Sequence, residues 1–414
     1  TKDPTDNSFE VGFNQSFVNF ETSDRTFNFN GSIVSKNVDK GVTLFGFNRT
    51  RAPWDANDDG FSEMVKLRNN TFGIDAFWNI TSRNKLKLGA YYINEFRRGG
   101  SQFDLEPHQT ELTEQLKHDI LSANISFERY TKDLKHKISV YGSIQTVNRG
   151  SYYGGGGRVL EEGDSLTTAD LLALNAYGSS SDISAVGGAQ YNYNINEKVM
   201  VIVGAEYIYN SVVDEMPGYE RSINQIVGTF GAYAQVEYKP IKRLTLLAGG
   251  RFDHLAIDGK YNFSSTILTN KTSLNVVVPR ISAMYEIMYG LKLRASYAQG
   301  YRGPQAFDED LHIETVGGAA RFIQINPDLT PERSNSALLS LNFDKTAPSG
   351  LKTRLVCFVP TEFSNRKTIV PPCFSLSRTK FSFPARYPKA PTALPKSARK
   401  VIIGSSPTPS LTAI

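Results

Sequence analysis

The side chains able to do chemistry are confined to a few short segments. Asp55, Asn57 and Asp59, then Gly60, place oxygen ligands at the first, third and fifth positions of a loop with Gly at the sixth, the spacing with which calcium loops begin. The twelfth position is Lys66, where such a loop wants a bidentate Glu. The segment therefore reads as a solvated Asp/Asn-rich turn, or as a shortened Ca²⁺ site of Asp55, Asn57, Asp59 and Glu63. Arg97 and Arg98, followed by Gly99 and Gly100, offer guanidinium forks suited to the carboxylate or catecholate oxygens of a metal chelate. The same forks suit lipopolysaccharide phosphates or the nearby Asp104 and Glu106. Tyr152 and Tyr153, beside a run of glycines, with Tyr219 and Tyr261, are able to stack on a planar ligand, although interfacial girdles use tyrosine without any ligand.

Other chemistries lack their residues. The five histidines, at 108, 118, 136, 254 and 312, have no neighbouring nucleophile or acid pair, so an enzyme is not expected. No GxxxxGK[ST] element is present, and Gly154 to Gly157 lacks the strand and helix that a phosphate loop needs. No cofactor beyond the possible Ca²⁺ is called for.

The elements that must position these residues announce themselves by alternation. Phe9, Val11, Phe13 and Phe17 oppose Glu10, Gly12, Asn14 and Ser16; Phe27, Phe29 and Ile33 oppose Asn28, Asn30 and Ser32; Ile138, Val140 and Ile144 oppose Ser139, Ser143 and Gln145. Only a strand of period two keeps such sets apart. Short connections recur at every second junction, for example at residues 37–40, 81–84, 131–135, 196–198, 240–243 and 288–290. Longer polar ones fall between them, at 52–68, 97–119, 149–182, 214–225, 258–273 and 303–335. This is the rhythm of an all-β, antiparallel, up-and-down transmembrane barrel with short periplasmic turns and long extracellular loops, of about fourteen strands and the start of a fifteenth. A mean hydropathy of −0.32 with 20 Tyr, 25 Phe and 33 Gly agrees with it, because lumen-facing residues are polar.

Two regions depart from the rhythm. Thr1 is not a Met and no signal peptide follows, so the sequence is expected to have been truncated, or processed, before Thr1. From about Leu355 the alternation is lost; residues 355–414 carry nine prolines, and nine Lys/Arg against Glu362 alone. Subtracting that +8 from the net +5 leaves −3 for residues 1–354, so the basic pI belongs to the tail and no nucleic-acid partner is implied. Residues 1–354 are read as the barrel, and 355–414 as an out-of-frame or disordered Pro/Lys-rich segment. Cys357 and Cys373, which could pair in an oxidising envelope, both lie in it.

Two motifs carry a family resemblance. Ser296 to Pro304 reads SYAQGYRGP, followed by QAFDEDLH to His312, and NPDLTPERSNS begins at Asn326. Together these resemble the late-barrel signature of TonB-dependent outer-membrane receptors, and TKDPTDNSFEV at the start resembles the exit from their plug domain. The resemblance implies a plug inside a 22-stranded barrel, of which this chain holds about two thirds of the strands. It implies location in the bacterial outer membrane, among outer-membrane lipid and lipopolysaccharide, and coupling to a TonB-ExbB-ExbD complex through the plug. It also implies a scarce, small metal-chelate ligand: a ferric siderophore, haem or cobalamin. Tyr301 and Arg302 of the motif are the matching ligand-binding candidates. His312 stands where haem receptors of the family resemble this layout, and imidazole is a natural axial ligand for iron. A passive porin or adhesin barrel without energy coupling is the alternative.

Overall fold

A computed structural model of the 414-residue chain describes residues 3–304, 330–346, 352–363 and 374–379, with side chains to residue 343. The strands are β1 (Ser8–Val18), β2 (Thr22–Val34), β3 (Lys40–Arg51), β4 (Lys66–Thr81), β5 (Asn84–Gly100), β6 (Leu112–Tyr130), β7 (His136–Gly155) and β8 (Tyr177–Asn194). They continue with β9 (Val199–Met216), β10 (Arg221–Ile241), β11 (Leu244–Phe263), β12 (Thr266–Met288), β13 (Leu291–Arg302), β14 (Glu332–Thr346), β15 (Lys352–Phe363) and β16 (Phe374–Thr379). They form one sheet in which each strand pairs antiparallel with its neighbours in sequence. Among the described residues β1 pairs with β2 alone and β16 with β15 alone. Among the described residues one helix, α1 (Thr168–Asn175), and two 3₁₀ turns, Pro107–Gln109 and Pro217–Tyr219, lie in the connections at the extracellular end.

Facing residues across the ladders define two surfaces. One row runs Gly31, Leu44, Ile74, Ala90, Ala123, Ile144 and Ala185, apolar throughout, and Ile74 and Ile144 are exposed. The next row on the opposite face runs Asn30, Phe45, Gly73, Tyr91, Ser122, Gln145 and Ser184. The first faces lipid and the second the lumen, which is why hydrophobic side chains of this chain stay exposed. On β4 the outward apolar stretch runs from Trp78 to Phe72, and on β5 from Leu86 to Tyr92; this is the membrane-spanning level.

Turns on the short side use local side-chain bonds. Asn196 Oδ1 accepts from the backbone N–H of Lys198 at 2.8 Å and of Val199 at 2.9 Å. Asp133 accepts from the Lys135 N–H at 3.1 Å, and Gly290 supplies a φ of +83° between β12 and β13.

The first fourteen strands are those the alternation predicts, but they are taller. Most of the connections read as loops at 214–225 and 258–273 are strand: β9 and β10 are separated by residues 217–220, β11 and β12 by 264–265. Above the membrane the alternation reverses phase: on β11 the outward Asp258 and Lys260 are exposed and polar while the inward Leu255, Ile257 and Tyr261 are buried, and ladder hydrogen bonds hold the backbone extended. At the other end β15 continues past Leu355 to Phe363, paired with β14 and with Pro360 opposite Leu338, and β16 pairs with it in turn. Pairing with an existing edge sets that backbone where side-chain pattern alone is silent.

Candidate functional site in the lumen wall

The strand alternation that defines the barrel separates the sequence-adjacent candidates. Arg97 faces the lumen, opposite Leu67 and Leu116, and pairs with Glu95 at 2.6 Å. Arg98 faces outward and is buried beneath the segment between β5 and β6. Its guanidinium lies 5.6 Å from the Phe103 ring and donates to the carbonyls of Leu105 at 2.8 Å and Gln102 at 3.3 Å. It pairs with neither Asp104 nor Glu106. Tyr152 and Tyr153 part in the same way. Tyr152 points outward, has no exposed surface, and packs 4.7 Å from Tyr177 near Ala173 and Ala176, so it serves a small core under the loops. Burial pushes its phenol pKa up. Tyr153 is on the lumen parity of β7, opposite Glu114. Tyr261 is buried in β11 and accepts from Gln225 Nε2 at 2.9 Å. Tyr219 closes the 3₁₀ turn whose neighbour is α1. His312 lies outside the described residues, as does Cys373.

The lumen wall carries more charge than the sequence candidates suggest. On β2 to β5, Asp24 accepts from Arg49 Nε at 2.9 Å and Nη2 at 2.5 Å, and Glu95 accepts from Asn69 at 2.9 Å. Arg51 stands on the same face, its Nε donating to the Val65 carbonyl at 3.0 Å. Burial and the neighbouring Arg49, with Arg97 beyond, push its pKa down. Three guanidiniums against Asp24 and Glu95 leave a net positive patch in the extracellular half of the lumen, and the Arg97 side chain keeps 53% of its surface. Across β7, β9 and β10, Asp214 sits between Arg149 at 3.3 Å and Arg221 at 2.5 Å, all three buried. Lower down, Arg251 bridges Glu206 at 2.5 Å and Asp253 at 2.7 Å, Tyr141 donates to Glu206 at 2.7 Å, and Tyr301 reaches Asp253. Arg302 is exposed at the end of β13. Arg49, Arg51, Arg149, Asp214 and Arg221 form no sequence motif; inward parity near a strand's extracellular end is the signal that finds them.

On the connection between β3 and β4, ligand oxygens of Asp55, Asp59 and Glu63 lie within 4.8 Å of one another. Asp55 accepts from the Gly60 N–H at 2.7 Å, Glu63 from the Ala56 N–H at 2.5 Å, and Asn57 donates to Asp59 at 3.0 Å. The loop thus turns with its carboxylates gathered, and the donor set is the oxygen-only set that suits Ca²⁺. At the opposite mouth, Asp3 turns inward before β1 and pairs with Lys87 at 2.7 Å and with Lys85.

A sheet with lipid outside, a polar, charged lumen inside and long connections at one end only is that of an outer-membrane barrel. The chain matches the family model of the TonB-dependent receptor-like β-barrel over residues 2–353, and it belongs to that family. No curated protein matches it. Among solved structures it resembles the ferric citrate transporter FecA in its unliganded form, at 15% identity and a TM-score of 0.62, covering 89% of this chain and 54% of that one. It resembles the siderophore receptor PiuA from Acinetobacter baumannii at 9% identity and a TM-score of 0.60, over 86% and 57%. The ferric yersiniabactin uptake receptor FyuA from Yersinia pestis follows at 12% and 0.57, over 87% and 55%. At these identities the likeness is one of fold, and the chain spans little more than half the length of each. The family is one of bacterial outer-membrane proteins, not enzymes.

Proposed function

We propose that the barrel serves high-affinity, TonB-coupled uptake of a scarce, anionic metal chelate, with the ferric-siderophore class as first choice. The observation that carries this reading is the lumenal patch of Arg49, Arg51 and Arg97, with Arg97 half exposed. Guanidinium forks bind carboxylate and catecholate oxygens in two-point geometry, and a partly enclosed wall strengthens them relative to water. The named functions of the solved neighbours, ferric citrate transport and siderophore reception, are chemically consistent with such a patch. Nanomolar capture corresponds to about 12 kcal/mol, so release into the periplasm requires external work. A TonB-ExbB-ExbD complex acting through a plug would supply it.

The test is binding of ferric citrate, a ferric catecholate, haemin and cobalamin to the chain folded in detergent, beside growth of cells carrying its full receptor on each as sole iron or cobalamin source. Tight binding of a ferric carboxylate or catecholate, weakened by Arg97→Ala, supports the reading. Uptake that survives collapse of the proton-motive force would return the protein to the passive porin class.

A further inference from the structure

The outer wall of the barrel carries an arrangement that the lumen reading does not use. Just above the membrane, one outward row runs Asn48, Asn70, Asn94, Asp119, Asn148 and Ser181 on adjacent strands β3 to β8. Its members bond sideways: Asn48 to Asn70 at 2.6 Å, Asn94 to Asp119 at 2.8 Å and Ser181 to Asn148 at 3.0 Å, with Tyr92 donating to Asp119 from below. The next outward row up holds Arg25 on β2, Arg68 on β4 and Lys117 on β6, separated only by Thr50 and Phe96. All three cations are exposed, and no carboxylate among the described residues pairs with them. Alternate strands lie about 10 Å apart, a spacing of cations that matches the two phosphates of a bisphosphorylated headgroup.

Below the same strands the wall is indented. Ala90 and Ala123 face each other across β5 and β6, Gly142 follows on β7, and Ile74, Leu88, Ile125 and Ile144 stand around them. The result is an apolar groove of about 610 Å³ opening toward lipid. From Ala123 up to Lys117 is six residues of one strand, about 20 Å, which is the span of an acyl chain and its headgroup linkage. Apolar groove, polar row and cationic row follow one another in the order of the parts of an amphiphile.

We propose that this wall binds one lipopolysaccharide molecule, with an acyl chain in the Ala90/Ala123 groove, sugar hydroxyls along the asparagine row, and phosphates between Arg25, Arg68 and Lys117. The asparagine row favours a glycolipid over a glycerophospholipid, because amide side chains in series match a hydroxyl-rich backbone. Charge complementarity and position at the extracellular end of the strands place the occupant in the outer leaflet.

The test uses the full chain folded in detergent and native mass spectrometry with four probes: rough lipopolysaccharide, the same lipid after phosphatase, phosphatidylglycerol, and phosphatidylethanolamine. Retained heat-modifiable mobility on gels reports folding. Saturable binding of lipopolysaccharide, at least tenfold tighter than of either phospholipid and weakened about tenfold by phosphatase, is expected. The variant Arg25→Gln/Arg68→Gln/Lys117→Gln should lose a similar factor, and Ala90→Trp should weaken binding with the cations intact. Lys117→Gln alone serves if the triple variant does not fold. Equal affinity for phosphatidylglycerol, or unchanged lipopolysaccharide binding in the folded charge and groove variants, would overturn the proposal.

Discussion

Arg97 and Arg98 differ by one position and should fail in different assays. Arg97→Ala removes a half-exposed lumenal guanidinium, and a charge-assisted hydrogen bond contributes about 1.5–3 kcal/mol, so anionic chelate affinity is expected to fall about tenfold or more with the melting temperature unchanged. Arg98→Ala removes the group that ties the carbonyls of Gln102 and Leu105 to β5, so it should lower stability by about 1–3 kcal/mol and leave chelate affinity alone. Tyr152 tests the packing assignment by itself. Its buried hydroxyl has no hydrogen-bond partner among the described residues, so Tyr152→Phe is expected to be neutral or slightly stabilising, whereas Tyr152→Ala opens a cavity costing about 3–5 kcal/mol. If both arginine variants weakened chelate binding equally, the two-face assignment of β5 would be wrong.

Elements raise questions of order rather than contact. The connection holding Asp55, Asn57, Asp59 and Glu63 is either a turn or a Ca²⁺ loop, and linkage separates them. A bound ion raises unfolding free energy by about 2.7 kcal/mol at a hundredfold excess over Kd. Millimolar Ca²⁺ should therefore raise the melting temperature, and Asp59→Asn should abolish the rise; no shift identifies a solvated turn. The segment before β1 is expected to respond to pH through Asp3. Burial alone would raise the Asp3 carboxyl, but Lys85 and Lys87 outweigh it and hold the pKa below its ordinary value. A depressed carboxylate contributes docking energy that is fully present above its ordinary value near 4 and is lost as pH falls through the lowered one. The protection of residues 3–7 against amide exchange, relative to the intrinsic rate at each pH, should fall below about pH 4, and should be lost already at pH 7 in Asp3→Asn.

Across the whole molecule, lumenal charge falls into two groups that answer differently to salt. Paired and buried charges such as Arg149, Asp214 and Arg221 are screened little, while the partly open Arg49, Arg51 and Arg97 patch sees the solvent. Binding of a ferric carboxylate or catecholate should weaken as ionic strength rises toward 1 M, where the Debye length is about 3 Å, with barrel stability nearly constant. A neutral chelate should show no such dependence. A salt-independent affinity for an anionic chelate would move the binding surface away from this wall.

The barrel, its strand polarity and the place of most turns were legible in the residues, because lipid and water impose opposite side chains at successive positions and the period of two survives without any tertiary information. Phe9, Val11 and Phe13, or Ile138, Val140 and Ile144, identify the lipid face directly. What the tertiary structure decided was which neighbours meet. Arg49, Arg51 and Arg97 come from two strands separated by β4, and Arg149, Asp214 and Arg221 from three, so no linear motif records them. Above the membrane the same limit applied to whole elements: the lipid-facing apolar row ends, apolar residues such as Ile223, Leu255 and Ile257 stand on the inward face instead, and only the ladder hydrogen bonds of adjacent strands show that these segments are strand and not loop.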